Sequence, residues 1–102
     1  MQFCLKFKFV RREMIYNNYP FRVGEVYLFH KSDPQCNSTT SLWGIFDKQV
    51  DGRVYLEACT KNLSHFERWV RLPSDYSYCR KSSRTELRDF MTNMVLNELG
   101  EL

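Results

Sequence analysis

The sequence predicts a small α+β domain, mainly β: a strongly bent antiparallel sheet of about five strands with a C-terminal amphipathic helix packed on it. Three observations carry this. Short windows alternate apolar and polar residues between clusters of turn residues. An Asp-Gly pair, Asp51-Gly52, stands between two such windows, as in a tight hairpin. The last fifth of the chain changes to helical spacing behind a helix-start signal.

Phe3, Leu5, Phe7 and Phe9 alternate with Cys4, Lys6, Lys8 and Val10, which predicts a half-buried strand over 3–10. Turn residues at 16–20 precede a second strand over 22–30, with Gly24 near its start marking a bulge or a close backbone approach. Residues 31–41, rich in Ser, Thr, Asn, Asp and Pro, form the longest loop. The hairpin gives strands over 42–49 and 53–60. Alternation in HFERWVRL predicts a fifth strand, at an edge, over 65–72, and the PSDYSYCRK segment after it has loop chemistry.

Ser83-Arg84-Thr85-Glu86 matches the capping-box pattern and opens a helix over 84–99. Leu87, Phe90, Met91, Met94, Val95 and Leu99 fall on one helical face, which is expected to pack on the sheet, and Gly100 is placed to end the helix. With RVGEVYLF, LWGIF, RVYLEAC and FERWVRL as barrel strands, the layout resembles SH3-like and Tudor-like small barrels. An open antiparallel sheet with the helix across one face is the alternative.

The hairpin admits two registers. A two-residue loop sets Val50 opposite Arg53 and groups Trp43 and Ile45 with Val54, Leu56 and Ala58. A three-residue loop sets Gln49 opposite Arg53, making Leu42, Phe46, Val54, Leu56 and Ala58 the apolar face and leaving Trp43, Ile45, Tyr55 and Cys59 on the other. The second separates apolar from mixed residues better and is the register the sequence favours.

At 102 residues, 43% of them hydrophobic and with eight Phe, six Tyr and two Trp, the chain suffices for one core, over 1–102. Its four cysteines, Cys4, Cys36, Cys59 and Cys79, have no CxxC or Cys-His spacing, so neither zinc nor another cofactor is expected. No signal peptide or membrane-spanning run is visible, and a cytoplasmic protein with reduced thiols is expected.

Catalytic signatures are missing from the sequence: there is no phosphate-binding glycine loop, HExxH or GxSxG, and His30 and His65 are the only histidines. A Cys36–His30 or Cys59–His65 pair, or carboxylates drawn from Asp47, Asp51 and Glu57, would be needed for an enzyme. The expectation is therefore a non-catalytic interaction module, monomeric or homodimeric, that binds and modulates or inhibits a larger protein complex, as many phage and mobile-element accessory proteins do. Trp, Tyr and Arg dominate interface energetics, which singles out Trp43, Tyr55, Trp69, Arg68 and Arg71 as protein-binding candidates.

The alternative is nucleic-acid binding. The net charge is only +3, but residues 68–88 carry six basic side chains against Asp75 and Glu86. Tyr76, Tyr78, Arg80, Lys81, Arg84 and Arg88 there interleave stackable rings with cations around a helix start.

Overall fold

Among the described residues, six antiparallel strands make one sheet: β1 (Glu13–Met14), β2 (Val26–His30), β3 (Ser41–Val50), β4 (Arg53–Thr60), β5 (Glu67–Arg71) and β6 (Tyr78–Lys81). Their order is β1-β6-β2-β3-β4-β5, and helix α1 (Arg84–Leu99) follows β6. A computed structural model describes residues 13–15, 19–32 and 40–100. The strand expected over 3–10, with Cys4 and Cys36, lies outside the described residues.

The described sheet is open and does not form the small barrel that the strand layout resembles. Among the described residues the outermost strands, β1 and β5, each pair on one side only, with β6 and β4 respectively. The segment Tyr78–Lys81, expected as loop, is the strand that extends the sheet, pairing β2 from Tyr27↔Lys81 to His30↔Tyr78. Strand bounds also differ. Val23 and Gly24 form a turn, so β2 starts at Val26 rather than near 22, and β5 spans Glu67–Arg71 rather than 65–72. The shorter β5 has a local cause: the buried Thr60 hydroxyl donates to the His65 carbonyl (2.6 Å) and accepts the Leu63 N–H (3.0 Å), folding 60–65 into a fixed connection.

The hairpin takes the two-residue loop, Val50 opposite Arg53, with Asp51 and Gly52 at φ 52° and 77°. Positive φ at both central residues is what a type I′ turn requires, and it fits the strand twist. The ladder does not run on unbroken. Asp47 is an extra residue between the pairs Phe46↔Leu56 and Lys48↔Tyr55, and Glu57 is one between Ile45↔Ala58 and Phe46↔Leu56. Each bulge exchanges the faces of the residues beyond it. Neither uniform register expected from the sequence is therefore complete.

The result is a sheet with two separate cores. Tyr27, Phe29, Leu42, Phe46, Val54, Leu56, Cys59, Leu72, Tyr76 and Cys79 form the larger. It is roofed by Tyr19 and Phe21; the Phe21 ring stacks on Phe46 with centroids 4.6 Å apart and planes at 6°. Val26, Ile45, Ala58 and Phe90 form the smaller, on the face that α1 crosses, with Trp43, Leu63, Phe66 and Met94 packed against it. All five residues of β2 are buried because both of its faces are covered.

Gly44 is needed where the strands close over the larger core. A Cβ there would sit 2.6 Å from Cδ1 of the fully buried Leu56. Gly44→Ala is expected to cost about 1–3 kcal/mol, as overpacking does. Urea unfolding of a double-mutant cycle should show this cost reduced in a Leu56→Val background, where the clashing end is shorter.

Helix α1 follows its expected bounds. Ser83 Oγ accepts the Glu86 N–H (3.1 Å) while the Glu86 carboxylate accepts the Ser83 N–H (2.8 Å), completing the capping box. Its orientation departs from expectation. Phe90 alone among its residues is buried and Met94 is half-buried, whereas Leu87, Met91, Val95, Leu96 and Leu99 are exposed. Asn97 donates to the Ser64 carbonyl (3.2 Å). The helix therefore contacts the sheet along a strip centred on Phe90, Met94 and Asn97.

Candidate functional site

The Glu57 bulge does more than divide the cores. In the β4–β5 ladder, Leu56 pairs with Val70 and Ala58 with Arg68, so Trp69 falls opposite Glu57. Trp69 takes φ 55°, the left-handed region that a bulky side chain rarely enters. Irregularities at Asp47, Glu57 and Trp69 thus line up across three adjacent strands. Despite its size, Trp69 is 66% exposed, the largest ring so presented among the described residues, and it stands on an edge strand.

Arg68 holds the surroundings in place. Its Nη1 meets Glu98 of α1 at 2.6 Å, its Nη2 meets Glu57 at 3.7 Å, and its Nε–H donates to the Glu57 carbonyl at 3.2 Å. The guanidinium lies 5.8 Å from the Trp69 ring centroid, within cation–π range. Arg68 thus connects β5, β4 and α1 while flanking the exposed indole.

Arg71 pairs with Tyr55, and Tyr55 with Lys48, so the three side chains share a face. Lys48 Nζ lies 5.4 Å from the Tyr55 ring centroid. Arg53, two residues before Tyr55, belongs to the same face as a diagonal neighbour of Arg71, at a typical spacing of about 7–8 Å. No ion pair holds Lys48, Arg53 or Arg71 among the described residues. Arg53 and Arg71 also border a cavity of about 330 Å³ with Leu72, Pro73, Ser74 and Tyr76.

Of the five protein-binding candidates, four are brought together here: Tyr55, Arg68, Trp69 and Arg71. Trp43 is separate. It is half-buried against the core beneath α1, and the Arg80 guanidinium lies 5.9 Å from its ring centroid. Lys48 and Arg53 belong to the surface although the sequence did not single them out; the two-residue turn register was the signal that would have placed them opposite Tyr55 and Val50.

Of the candidates for nucleic-acid binding, Lys81 and Arg84 line one cavity with Gly24, Glu25 and Val26. Tyr76 is buried in the larger core, and Tyr78 is a half-buried member of β6. Both terminal nitrogens of Arg80 donate to Glu86 at 2.8 Å, and Lys81 pairs with Glu25 at 2.8 Å. Arg84 and Arg88 are exposed on α1 without an ion pair among the described residues.

Arg80 and its two hydrogen bonds are the main reason that the Glu86 carboxyl is held down to about 2, with the Ser83 N–H helping. A depressed carboxylate stabilises the fold above its unfolded value near 4.5 and loses that contribution as pH falls through about 2. After discounting for partial exposure to water, Glu86→Gln is expected to cost about 1–2 kcal/mol at neutral pH. Urea midpoints should differ between the two proteins at pH 7 and converge towards pH 2; a difference constant with pH would show that the ion pair is not the cause.

Cys59 and His65, the candidate thiol–imidazole pair, line one cavity of about 210 Å³ with Leu42, Thr60 and Glu67. Burial, reinforced by Glu67, pushes the Cys59 thiol up to about 11, so it stays protonated near neutral pH. Cys36 lies outside the described residues. Among the candidate carboxylates, Glu57 is engaged by Arg68 and Asp51 sits in the turn. No group of three or more His, Cys, Asp or Glu among the described residues could hold a metal ion. Nor is any helix among them long and apolar enough to cross a membrane.

No protein-family model, curated protein or solved structure matches the chain.

Proposed function

We propose that this protein is a non-catalytic interaction module that binds a partner protein through the surface around Trp69 and modulates it by occupying the partner's own surface. The observation that carries this is the indole itself, a large ring 66% exposed on an edge strand in left-handed backbone. Such backbone costs about 1–3 kcal/mol and is retained where the surroundings enforce it, often at binding sites. Tyr55, Arg68 and Arg71 beside it are of the types that anchor interfaces.

Lys48, Arg53 and Arg71, without an ion pair among the described residues, point to a partner surface with an excess of carboxylates. A protein surface is favoured over a nucleic-acid strand because Asp47, Asp51 and Glu57 interrupt the basic residues along the same strands, where a phosphate backbone would need a continuous track.

Affinity capture with the full chain tests this reading. The wild type should recover a stoichiometric partner, and Trp69→Ala and Arg71→Glu should each lose it while keeping the wild-type circular dichroism spectrum. Capture of no stoichiometric partner, or equal capture by Trp69→Ala, would overturn it.

A further inference from the structure

We infer that this protein self-associates as a two-fold dimer through antiparallel pairing of α1, on a surface separate from that of Trp69. Leu87, Met91, Val95 and Leu99 recur every four residues and form a continuous row along the helix. With Leu96 they are 38% to 58% exposed. Five large apolar side chains on one helix are more than a soluble monomer ordinarily leaves in water together.

A second copy of the same helix fits the row. Antiparallel pairing about a two-fold axis level with residue 93 sets Leu87 against Leu99 and Met91 against Val95, each contact occurring twice. A cavity of about 440 Å³ adjoins Leu87, lined by Gly24, Glu25, Val26 and Lys81 from the sheet side and by Ser83 and Arg84 from the helix start. In this register it lies where the other copy's Leu99 arrives, so the row ends in a hollow rather than against a flat wall.

Charge selects the same direction. Arg84 and Arg88, both without an ion pair among the described residues, lie at the start of the row, and Glu98, which Arg68 of its own chain engages at 2.6 Å, lies near its end. Antiparallel pairing in this register sets Arg88 of each helix level with Glu98 of the other and opposes the helix dipoles favourably. Parallel pairing would bring like ends together.

Sedimentation equilibrium of the full chain tests the inference. Twice the chain mass is expected at concentrations of order 100 µM, well above a micromolar dissociation constant. Met91→Glu/Val95→Glu should return the mass to that of the monomer. Both positions are exposed, so its circular dichroism should stay near that of the wild type, and its unfolding midpoint should match the wild type at dilutions where both are monomers. Arg84→Glu/Arg88→Glu should weaken the dimer by roughly ten-fold or more by setting acid against acid. A monomeric wild type, or a dimer that survives Met91→Glu/Val95→Glu, would overturn self-association through α1. A dimer unchanged or tightened by the arginine substitutions would overturn its antiparallel arrangement.

Discussion

Phe90→Ala is expected to destabilise the protein by about 3–5 kcal/mol, the cost of emptying a fully buried aromatic site. Phe90 has no exposed surface, meets the Phe66 ring edge to face at 5.3 Å, and packs with Val26, Ile45 and Ala58 from three neighbouring strands. No other residue of α1 is buried. A helix of this length is marginal alone in water, so it depends on that single insertion together with the half-buried Met94 and a few polar ties. Of those ties, Arg68–Glu98 and Asn97–Ser64 are exposed and each contributes little by itself, while Arg80–Glu86 adds about 1–2 kcal/mol, less than the Phe90 insertion. Urea unfolding followed by circular dichroism should show the loss, and Met94→Ala should cost distinctly less. A penalty under about 1 kcal/mol for Phe90→Ala would mean that the helix is held by something other than this core.

The sequence made the elements with local causes readable. The capping box at Ser83 and Glu86 involves residues three apart, and the helix indeed begins at Arg84. Asp51-Gly52 is a turn for backbone reasons alone, and the strands on both sides of it form as expected. What escaped reading depends on distant partners. Tyr78–Lys81 is a strand because β2 offers it an edge, and four residues among turn formers give too short a window to show alternation. The bulges at Asp47 and Glu57 break the period of two on which face assignment rests, which is why Ala58 moved to the helix side while Leu56 stayed in the larger core.

The candidate site was legible to the same degree. Residue type identified Tyr55, Arg68, Trp69 and Arg71, but only the observed register adds Lys48 and Arg53 to them. Trp43 stands apart from them, half-buried beneath α1. Helical spacing identified an apolar face on α1, yet it could not show that the sheet contacts only one strip of that face.

Trp69 should reverse the usual order of substitutions in a strand. Ala normally serves better than Gly in such a position, by about 0.5–1 kcal/mol, because Gly loses more backbone freedom on folding. At φ 55° the balance changes: Ala keeps the left-handed strain, worth about 1–2 kcal/mol for any L side chain, and Gly removes it. Little burial is lost in either case because the ring is mostly in solvent, and the Arg68 contact is worth about 0.5–1 kcal/mol at an exposed site. Trp69→Gly is therefore expected to match or exceed the wild type by up to about 1 kcal/mol, and Trp69→Ala to fall below Trp69→Gly. Both should lose partner capture, since removing a central interface tryptophan commonly costs about 2 kcal/mol or more of binding. Denaturant midpoints and capture yields on the same three proteins separate the two effects. A glycine variant that is more stable and inactive would mean that the fold tolerates strain at this position for the sake of what the indole contacts. A glycine variant that is clearly less stable than alanine would instead make Trp69 a structural residue, and the surface around it would lose its claim to be the site.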